Sequence, residues 1–532
     1  MRKLVSAVAA AALFSAGLAG VATAGGATAA PARTAPVPAH RGYTPPPIHW
    51  GTCSSPSLQS AGAKCGMLTV PLDYAKPTGK KIQLAVSRIK HTAKKSQGVM
   101  LVNPGGPGGS GLGLARLGAY VPNGGGAPYD WIGFDPRGVG SSKPSLSCDG
   151  DFFAPGRPSY VPTTPQIADY WQDKAAGYAV ACKEANLPLL KHTDTRTWVQ
   201  DMESIRKALH QKKINYYGFS YGTYLGQVYA TQHPDRVRRF VFDGVVNPKD
   251  VWYDANLEQD KQFDVNIDVF FDWVAAHDDT YGLGTDGGAV RQIYYDTLQD
   301  LTDHPQADFG AADWNDVFVG AGYYVYGWDD LAHVLVAAAD GKLGPAKSYL
   351  GDPTGPGADN TYANYLAVEC TDAPWPTDWS TWQQDNDAIH AEHPFLTWNN
   401  AWWNAPCRTW PVQPGRPVKV DGSKAPPILL IEETNDAATP WAGAIEVRKL
   451  FRKSVLIEGV GGTTHAGSLS GVGCTDNTIA RYLKTGKLPD RKPGNDSDVK
   501  CKPVPPPTPS ASGARPTPRE RLLTAARPVV LH

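Results

Sequence analysis

The 532-residue sequence lacks an excess of charge of either sign. Lys and Arg together number 51, Asp and Glu together also number 51, and neither sign forms a long run. Because nucleic acids and anionic membranes attract strongly basic chains, the composition indicates neither as a partner. Hydrophobic residues make up 42% of the chain, which is enough for a substantial core. We therefore expect a globular protein with one or more ordinary domains.

The eight cysteines lack the C-x-x-C spacing that is typical of zinc and thioredoxin-type sites. We find no other cluster of metal ligands, so we expect no metal and no cofactor. An even number of cysteines is typical of a protein exported to an oxidising compartment. The cysteines can pair in many ways. Local spacing favours four bridges: Cys53–Cys65, Cys148–Cys182, Cys370–Cys407 and Cys474–Cys501.

The N-terminus has a basic start, an Ala-rich apolar stretch and an A-x-A site at Ala22–Ala24. This pattern predicts a secretory signal peptide over 1–24, although the apolar run is also just long enough for a membrane anchor. No cysteine lies near this cleavage site, so nothing there indicates a lipid anchor. We interpret 25–42 as a pro-piece or linker and 502–532 as a disordered Pro-rich tail. The mature protein is expected to be secreted and free of a stable membrane anchor.

Short apolar runs alternate with helical patterns over 43–246 and again over 421–501. This alternation predicts an α/β fold with a mostly parallel sheet and flanking helices. The segment 247–420 breaks the alternation, since it holds eleven of the sixteen tryptophans and several helical stretches. We interpret this segment as a mainly helical cap inserted between two parts of the sheet. The sequence contains no internal repeat.

The stretch GFSYG at 218–222 lies where a strand-forming run gives way to a helical pattern. Gly218 and Gly222 have no Cβ, so a strand and a helix can approach closely around Ser220. This is the G-x-S-x-G nucleophile elbow, which exposes a serine hydroxyl above the end of a sheet. The alternative is a chance Gly/Ser turn, because so short a pattern recurs by accident.

A serine nucleophile needs a base and an acid that orients the base. Asp436 follows one apolar strand and His465 follows the next, in the order Ser, Asp, His of an α/β-hydrolase. Taken alone, Asp436 suits an Asx turn before Thr439, and His465 is one of several loop histidines. Their shared position after strands favours a triad of Ser220, Asp436 and His465.

The oxyanion hole of such an enzyme uses two backbone N–H groups. The first belongs to the residue after the nucleophile, Tyr221. The second is expected in the loop NPGGPGGSG at 103–111, at Gly106 or a neighbour. The same loop has an alternative interpretation as a dinucleotide-binding turn with Asp135 as the ribose ligand. Pro107 removes an N–H and fits that fingerprint poorly.

Several motifs resemble the secreted tripeptidyl aminopeptidases of actinomycetes, relatives of prolyl aminopeptidases in the α/β-hydrolase superfamily. They are NPGGPGGSG, FDPRGVGSS, GFSYGTYLG, NDAATP and CTDNTIARYLKTGKLP, and the match runs from about residue 43 to residue 501. The resemblance implies an α/β-hydrolase fold and a metal-free serine exopeptidase acting on peptides with free N-termini. Prolyl aminopeptidases carry H-G-G-P-G in the oxyanion loop, whereas this chain has Pro104 in place of the histidine. The departure weakens strict proline specificity and favours tripeptide release.

An exopeptidase must also bind the substrate's α-ammonium group, and a partly desolvated carboxylate in the cap would do so. Glu369 and Asp372 flank Cys370, whose disulfide would hold their loop rigid, and they are our candidates. The alternative is that both are ordinary solvated acids, in which case Glu258 or Asp254 is next in line.

Three other functions share this fold: carboxylesterase, catalytically inactive binding protein and epoxide hydrolase. A secreted carboxylesterase would share the fold and the triad. A binding protein derived from a hydrolase would typically have lost a triad member, and here all three are present. An epoxide hydrolase normally has an aspartate at the elbow, where this chain has Ser220.

Overall fold

The computed structural model describes residues 43–511. The predicted signal peptide at 1–24, the linker at 25–42 and the last part of the predicted tail, 512–532, lie outside this range. Within residues 43–511, no helix combines the length and the apolar character that a membrane crossing requires.

The strands in this range join into a single ten-stranded sheet. In chain order they are β1 (Gly51–Thr52), β2 (Lys64–Pro71), β3 (Lys81–Ile89), β4 (Val99–Asn103), β5 (Asp130–Phe134), β6 (Ile214–Phe219), β7 (Val237–Asp243), β8 (Leu429–Glu433), β9 (Val455–Gly459) and β10 (Val499–Cys501). Across the sheet the order is β1-β2-β3-β5-β4-β6-β7-β8-β9-β10. The pairs from β1 to β5 are antiparallel, and those from β5 to β10 are parallel. The predicted mostly parallel sheet is confirmed.

The strands at the centre of the sheet are short, continuous apolar runs. Every residue of β4, β6, β8 and β9 is buried. Strands covered by helices on both faces show this pattern, because neither side of the strand meets water. The carboxyl ends of these four parallel strands therefore meet at one edge of the sheet.

Fifteen α-helices accompany the sheet in the described residues. They are α1 (Pro56–Ser60), α2 (Pro165–Leu190), α3 (Thr195–Ala208), α4 (Tyr221–Gln232), α5 (Tyr253–Ala275), α6 (Asp278–Tyr281), α7 (Gly287–Asp303), α8 (Ala311–Tyr323), α9 (Trp328–Ala339), α10 (Gly344–Leu350), α11 (Asn360–Asp372), α12 (Trp379–His390), α13 (Thr397–Asn404), α14 (Trp441–Leu450) and α15 (Gly473–Thr485). Helices α5 to α13 follow β7 and precede β8, which is the interval of the predicted cap. Five 3₁₀ helices occupy Leu112–Tyr120, Pro122–Gly124, Pro234–Arg236, Val325–Gly327 and Ala405–Thr409.

Stacked tryptophans join the helices of this interval to α2. Trp402 on α13 stacks on Trp379 of α12 and on Trp398, with ring centroids 4.8 and 5.5 Å away. Its other neighbour is Trp171 of α2, at 6.3 Å. Large aromatic rings bury much apolar area and pack with defined geometry. These tryptophans therefore form a core rather than the wall of a binding site.

Four disulfides connect the same cysteines that local spacing favours: Cys53–Cys65, Cys148–Cys182, Cys370–Cys407 and Cys474–Cys501. The third ties the end of α11 to the 3₁₀ helix after α13. The fourth ties α15 to β10 at the sheet edge. Bridges of this number fit an extracellular protein.

The prediction of disorder from residue 502 onward is wrong for 502–511. Val504 is buried, and its N–H donates to Glu433 Oε1 at 2.7 Å. Ser510 Oγ donates to Asp329 Oδ2 on α9 at 2.6 Å. A Pro-rich chain loses little conformational entropy when it docks in an extended form. Composition alone therefore did not indicate that this stretch binds the rest of the molecule.

We predict that the disulfides stabilise the fold and that a bridge closing a longer loop contributes somewhat more. Cys370→Ser/Cys407→Ser opens a bridge of sequence separation 37 and Cys53→Ser/Cys65→Ser one of separation 12. The chain-entropy model gives losses of about 4 and about 3 kcal/mol in the free energy of unfolding. Chemical denaturation measures both. Equal free energies of unfolding for the wild type and the two double variants would contradict the prediction.

Candidate active site

Ser220 occupies a strained backbone conformation between β6 and α4, with φ 55° and ψ −129°. A Cβ on Gly218 would lie 2.5 Å from the carbonyl oxygen of Gly222, and a Cβ on Gly222 would lie 2.8 Å from that of Asn103. The Ser220 N–H donates to the Asp243 carbonyl at 3.0 Å. A positive φ at a non-glycine residue persists only where its surroundings enforce it. The turn thus has the geometry of the predicted elbow, with Ser220 partly exposed at its tip.

Asp436 and His465 form a buried pair in the loops after β8 and β9. His465 Nδ1 lies 2.8 and 2.7 Å from the two carboxylate oxygens of Asp436. The N–H groups of Ala438 and Thr439 donate to Asp436 Oδ1 at 3.0 Å. Since the carboxylate accepts all these bonds, the ring proton of a neutral His465 belongs on Nδ1. Nε2 is buried and has no hydrogen-bond partner among the described residues.

The charge state of Asp436 follows from these contacts. Burial raises the pKa of Asp436, but the charge of His465 and the hydrogen bond from it, with others from Glu432 and Thr439, hold the pKa below its usual value. An ionised Asp436 is therefore favoured. A carboxylate in this position can orient an imidazole and stabilise the imidazolium form.

The His465 ring packs beside the end of β7, the strand whose last residue, Asp243, accepts the Ser220 N–H. Gly244 directly follows Asp243, the acceptor of the Ser220 N–H, and a Cβ on Gly244 would lie 2.8 Å from His465 Cε1. From the other side, the His465 N–H donates to the carbonyl of Tyr323, at the end of α8, at 2.8 Å. The fold therefore brings the three predicted triad residues to one edge of the sheet.

A cavity of about 430 Å³ opens above Ser220. Its lining includes both predicted oxyanion residues and one predicted amine-binding carboxylate: Tyr221, Gly106 and Glu369. Asp254 and Glu258 of α5, the second pair of acidic candidates, also line it. In the described part of the chain, no group of three or more His, Cys, Asp or Glu is arranged to hold a metal ion.

The glycine loop after β4 runs directly beside the serine. A Cβ on Gly105 would lie 2.8 Å from Ser220 Cβ and 3.0 Å from the Tyr221 nitrogen. Tyr221 begins α4, and the first N–H groups of a helix have no acceptor within that helix. Gly106, the next loop residue, faces the cavity. The arrangement can present two N–H groups to an oxyanion, as predicted for Tyr221 and Gly106.

Glu369 is a buried carboxyl with an unused oxygen in this cavity. The residue is 3% exposed, and its Oε2 has no hydrogen-bond partner in the described structure. Burial raises the pKa of Glu369 well above its usual value; the bond from Tyr365 opposes this shift and the charge of Asp372 adds to it. Burial of this kind favours the neutral form of the carboxyl until a cation approaches. The position suits recognition of an ammonium group.

Asp372 does not line the cavity, although it lies one helical turn from Glu369. Both residues belong to α11 rather than to the loop that we expected. Asp372 Oδ1 accepts the Thr195 N–H at 2.8 Å, and Oδ2 accepts the Thr195 hydroxyl at 2.5 Å. Burial raises the pKa of Asp372 to about 7 despite these bonds. The Asp372 side chain therefore bonds to the first residue of α3 and does not reach the cavity above Ser220.

Sequence analysis missed two buried carboxyls at the end of β8. Glu432 hydrogen-bonds to Asp436, and Glu433 Oε2 accepts the Thr464 N–H at 2.7 Å, next to His465. The available signal was an acidic pair that ends an otherwise apolar strand, in ILLIEE. Acids in such a position are rarely buried without a specific partner.

Comparison with known proteins agrees with this geometry. Residues 98–284 match the family described as alpha/beta hydrolase fold, and residues 393–501 match that described as TAP-like protein. Tripeptidyl aminopeptidase of Streptomyces lividans is 40% identical over 481 residues, covering 87% of this chain and 88% of the relative. Serine protease Hip1 of Mycobacterium tuberculosis is 30% identical, and the match covers 83% of this chain and 90% of that relative. Carboxylesterase B of the same species is 29% identical, and the match covers 84% of this chain and 89% of that relative.

Fold and elbow together define an α/β hydrolase of the serine type. Within that class, the chain belongs to the tripeptidyl aminopeptidase family. The protein is thus a serine aminopeptidase-like hydrolase.

We predict that a methyl group on the oxyanion loop disrupts catalysis. Gly105→Ala places a Cβ 2.5 Å from the Phe219 carbonyl oxygen at a backbone φ of 94°, so the loop must shift. A shift of about 1 Å typically costs about 100-fold in activity. Gly113→Ala is the matched control, since its Cβ meets only Arg116, at 3.8 Å. Steady-state kinetics that show equal activity for both variants would refute the assignment of this loop.

Proposed function

We propose that this protein is a secreted serine exopeptidase that releases tripeptides from free N-termini through Ser220, His465 and Asp436. The observation that carries the proposal is the unpartnered Glu369 Oε2 in the same cavity as Ser220. The relative named tripeptidyl aminopeptidase supports the product length. The predicted signal peptide and the four disulfides support secretion.

In the proposed reaction, Ser220 Oγ attacks the scissile carbonyl while His465 Nε2 takes the hydroxyl proton. Asp436 keeps the imidazole in the required orientation and stabilises its charged form. The Tyr221 and Gly106 N–H groups hold the oxyanion of the tetrahedral intermediate. His465 then protonates the leaving amine, and water releases the acylated peptide from Ser220 by the same steps.

Glu369 supplies the requirement for a free N-terminus. An α-ammonium group that enters the cavity can donate to the unused Oε2, and its charge favours loss of the proton from the carboxyl. A charge-assisted hydrogen bond in a water-poor site is worth about 1.5–3 kcal/mol. A blocked N-terminus would leave the carboxyl buried without a partner. Binding energy then selects substrates by their N-terminal charge.

The dimensions of the site suit the end of a peptide. A cavity of about 430 Å³ is within the roughly 300–1,000 Å³ typical of small-ligand sites. Helices α5 and α11 contribute to its lining, so chain segments inserted between β7 and β8 cover the serine. A covered site of this size accepts a few residues of an extended chain end more readily than an internal loop of a folded protein.

A secreted carboxylesterase is the second candidate, because a relative with 29% identity carries the name Carboxylesterase B. An ester substrate without an ammonium group gains nothing from Glu369. Peptide anilides and esters that share one acyl tripeptide separate the two functions. The peptidase proposal expects hydrolysis of both substrates, with Glu369 required for both because they carry the same N-terminus. A carboxylesterase would hydrolyse the ester and leave the anilide intact.

We predict that Ser220→Ala abolishes hydrolysis without unfolding the protein. Loss of the nucleophile typically lowers kcat by about 10⁴-fold or more. The hydroxyl is partly exposed at the turn, so its removal changes stability little. Peptidase assays and a thermal melt measure the two effects. A folded variant with wild-type activity would disprove the role of the serine.

We further predict that the substrate's ammonium group and Glu369 act as one unit. N-terminal acetylation of the peptide should lower kcat/KM by about 100-fold, because a charged hydrogen bond is lost and a buried carboxyl is left unpaired. Glu369→Gln should cause most of that loss on the free peptide and little further loss on the acetylated one. A double cycle of enzyme and substrate measures the coupling.

Asp372→Asn is the matched control for this cycle, because Asp372 lies in the same helix but outside the cavity. Its response to acetylation should equal that of the wild type. Additive losses for Glu369→Gln and acetylation would place the ammonium group elsewhere, with Asp254 and Glu258 as the remaining carboxylates. No loss on acetylation would contradict the exopeptidase function.

A further inference from the structure

A second buried carboxyl, Glu432, lies behind the Asp436–His465 pair. It is 1% exposed and projects from β8, four residues before Asp436. Its Oε2 accepts the Val245 N–H at 2.5 Å, and Thr439 Oγ1 lies 3.5 Å from its Oε1. Its side chain also hydrogen-bonds to Asp436. Glu432 thus contacts the acid of the proposed triad without lining the substrate cavity.

Two carboxyl groups in this position cannot both be ionised without strong repulsion. The titratable groups that face Glu432 are Asp436, Asp243 at the end of β7 and, across Thr439, His465. Burial, followed by the charge of Asp436, raises the pKa of Glu432 well above its usual value. The pKa of Asp436 shifts in the opposite direction. One proton shared by the two acids therefore belongs to Glu432.

The neighbouring strand shows what a buried carboxyl does when no triad is beside it. Glu458 on β9 is the register partner of Glu432 and is also buried. Its Oε2 accepts the Ser497 hydroxyl at 2.5 Å and lies 3.5 Å from the Lys500 ammonium group. Glu458 has a cation within reach, whereas the contacts of Glu432 include another acid. Adjacent positions of one sheet thus hold carboxyls in contrasting surroundings.

We propose that Glu432 is a positioning residue that keeps its proton and donates it in a hydrogen bond to Asp436. Because Oε2 accepts the Val245 N–H, we assign the carboxyl O–H to Oε1, as the donor to Asp436. The bond fixes the Asp436 carboxylate against His465, and the neutral state leaves a single negative charge beside the imidazole. This inference rests on the proposed triad and adds a specific protonation state to it.

Glu432→Gln is the decisive variant, since an amide copies both hydrogen bonds of a neutral acid. Its carbonyl oxygen accepts from Val245, and its NH₂ group donates to Asp436. The kcat/KM–pH profile should keep its acid limb within about 0.3 pH units of the wild type. If Glu432 were ionised, the substitution would remove a negative charge near His465. The imidazolium would then lose its proton more easily, and the acid limb would move down by roughly one pH unit. That shift would overturn the proposal.

Glu432→Leu removes the donor while keeping a side chain of similar size. We expect kcat to fall about 10-fold or more, since a hydrogen bond to a charged group is lost, and KM to stay within about 2-fold because the residue does not line the cavity. Glu458→Leu is the control for a lost buried carboxyl and should leave kcat unchanged. Equal kcat values for the two leucine variants would overturn the positioning role. If Glu432→Leu fails to fold, the pH profile of Glu432→Gln decides alone.

Ser220→Ala separates this inference from the proposed function. An active Ser220→Ala enzyme would end the triad assignment itself. An inactive Ser220→Ala enzyme, together with a Glu432→Leu enzyme of wild-type kcat, would end only the role of Glu432.

Discussion

The backbone of Ser220 is the constraint on which the rest of the site depends. Its positive φ is unfavourable for a residue with a side chain, and it persists because three strands meet around it. β6 supplies the residue, β7 accepts its N–H, and the end of β4 leaves room only for a glycine at 222. The loops that carry Asp436 and His465 begin at the same edge of the sheet. A large, mostly parallel sheet thus holds one partly exposed serine hydroxyl in place.

Protonation states divide the acidic groups near this hydroxyl into two kinds. Asp436 accepts hydrogen bonds from the His465 ring and from several backbone N–H groups, which favour the carboxylate. Glu369 and Glu432 are equally buried, but neither contacts a cation, so both are held as neutral acids. Environments that push carboxyl pKa values apart are a general sign of divided roles in an active site. In the proposed mechanism, the ionised Asp436 orients the imidazole, while the neutral Glu369 has an unused oxygen that can accept a hydrogen bond from a charged substrate.

The sequence was informative where function depends on local chain geometry. The strands around the elbow, the turn at Ser220 and the positions of Asp436 and His465 after successive strands all follow from short apolar runs and turn residues. Helix α2 was missed despite its start signals, Thr164 as N-cap and Pro165 in the first turn. The docking of 502–511 was missed because its partners, Glu433 and Asp329, are distant in sequence. Glu369 and Asp372 looked equivalent in the sequence, and only the structure shows that Asp372 bonds to Thr195 at the start of α3 while Glu369 lines the cavity.

Mass spectrometry of the products from a long peptide with a free N-terminus tests the central claim most directly. The account predicts that the first product is the N-terminal tripeptide, followed by further tripeptides as each new N-terminus enters the site. Fragments that begin at internal positions, or cleavage that is indifferent to a blocked N-terminus, would contradict it.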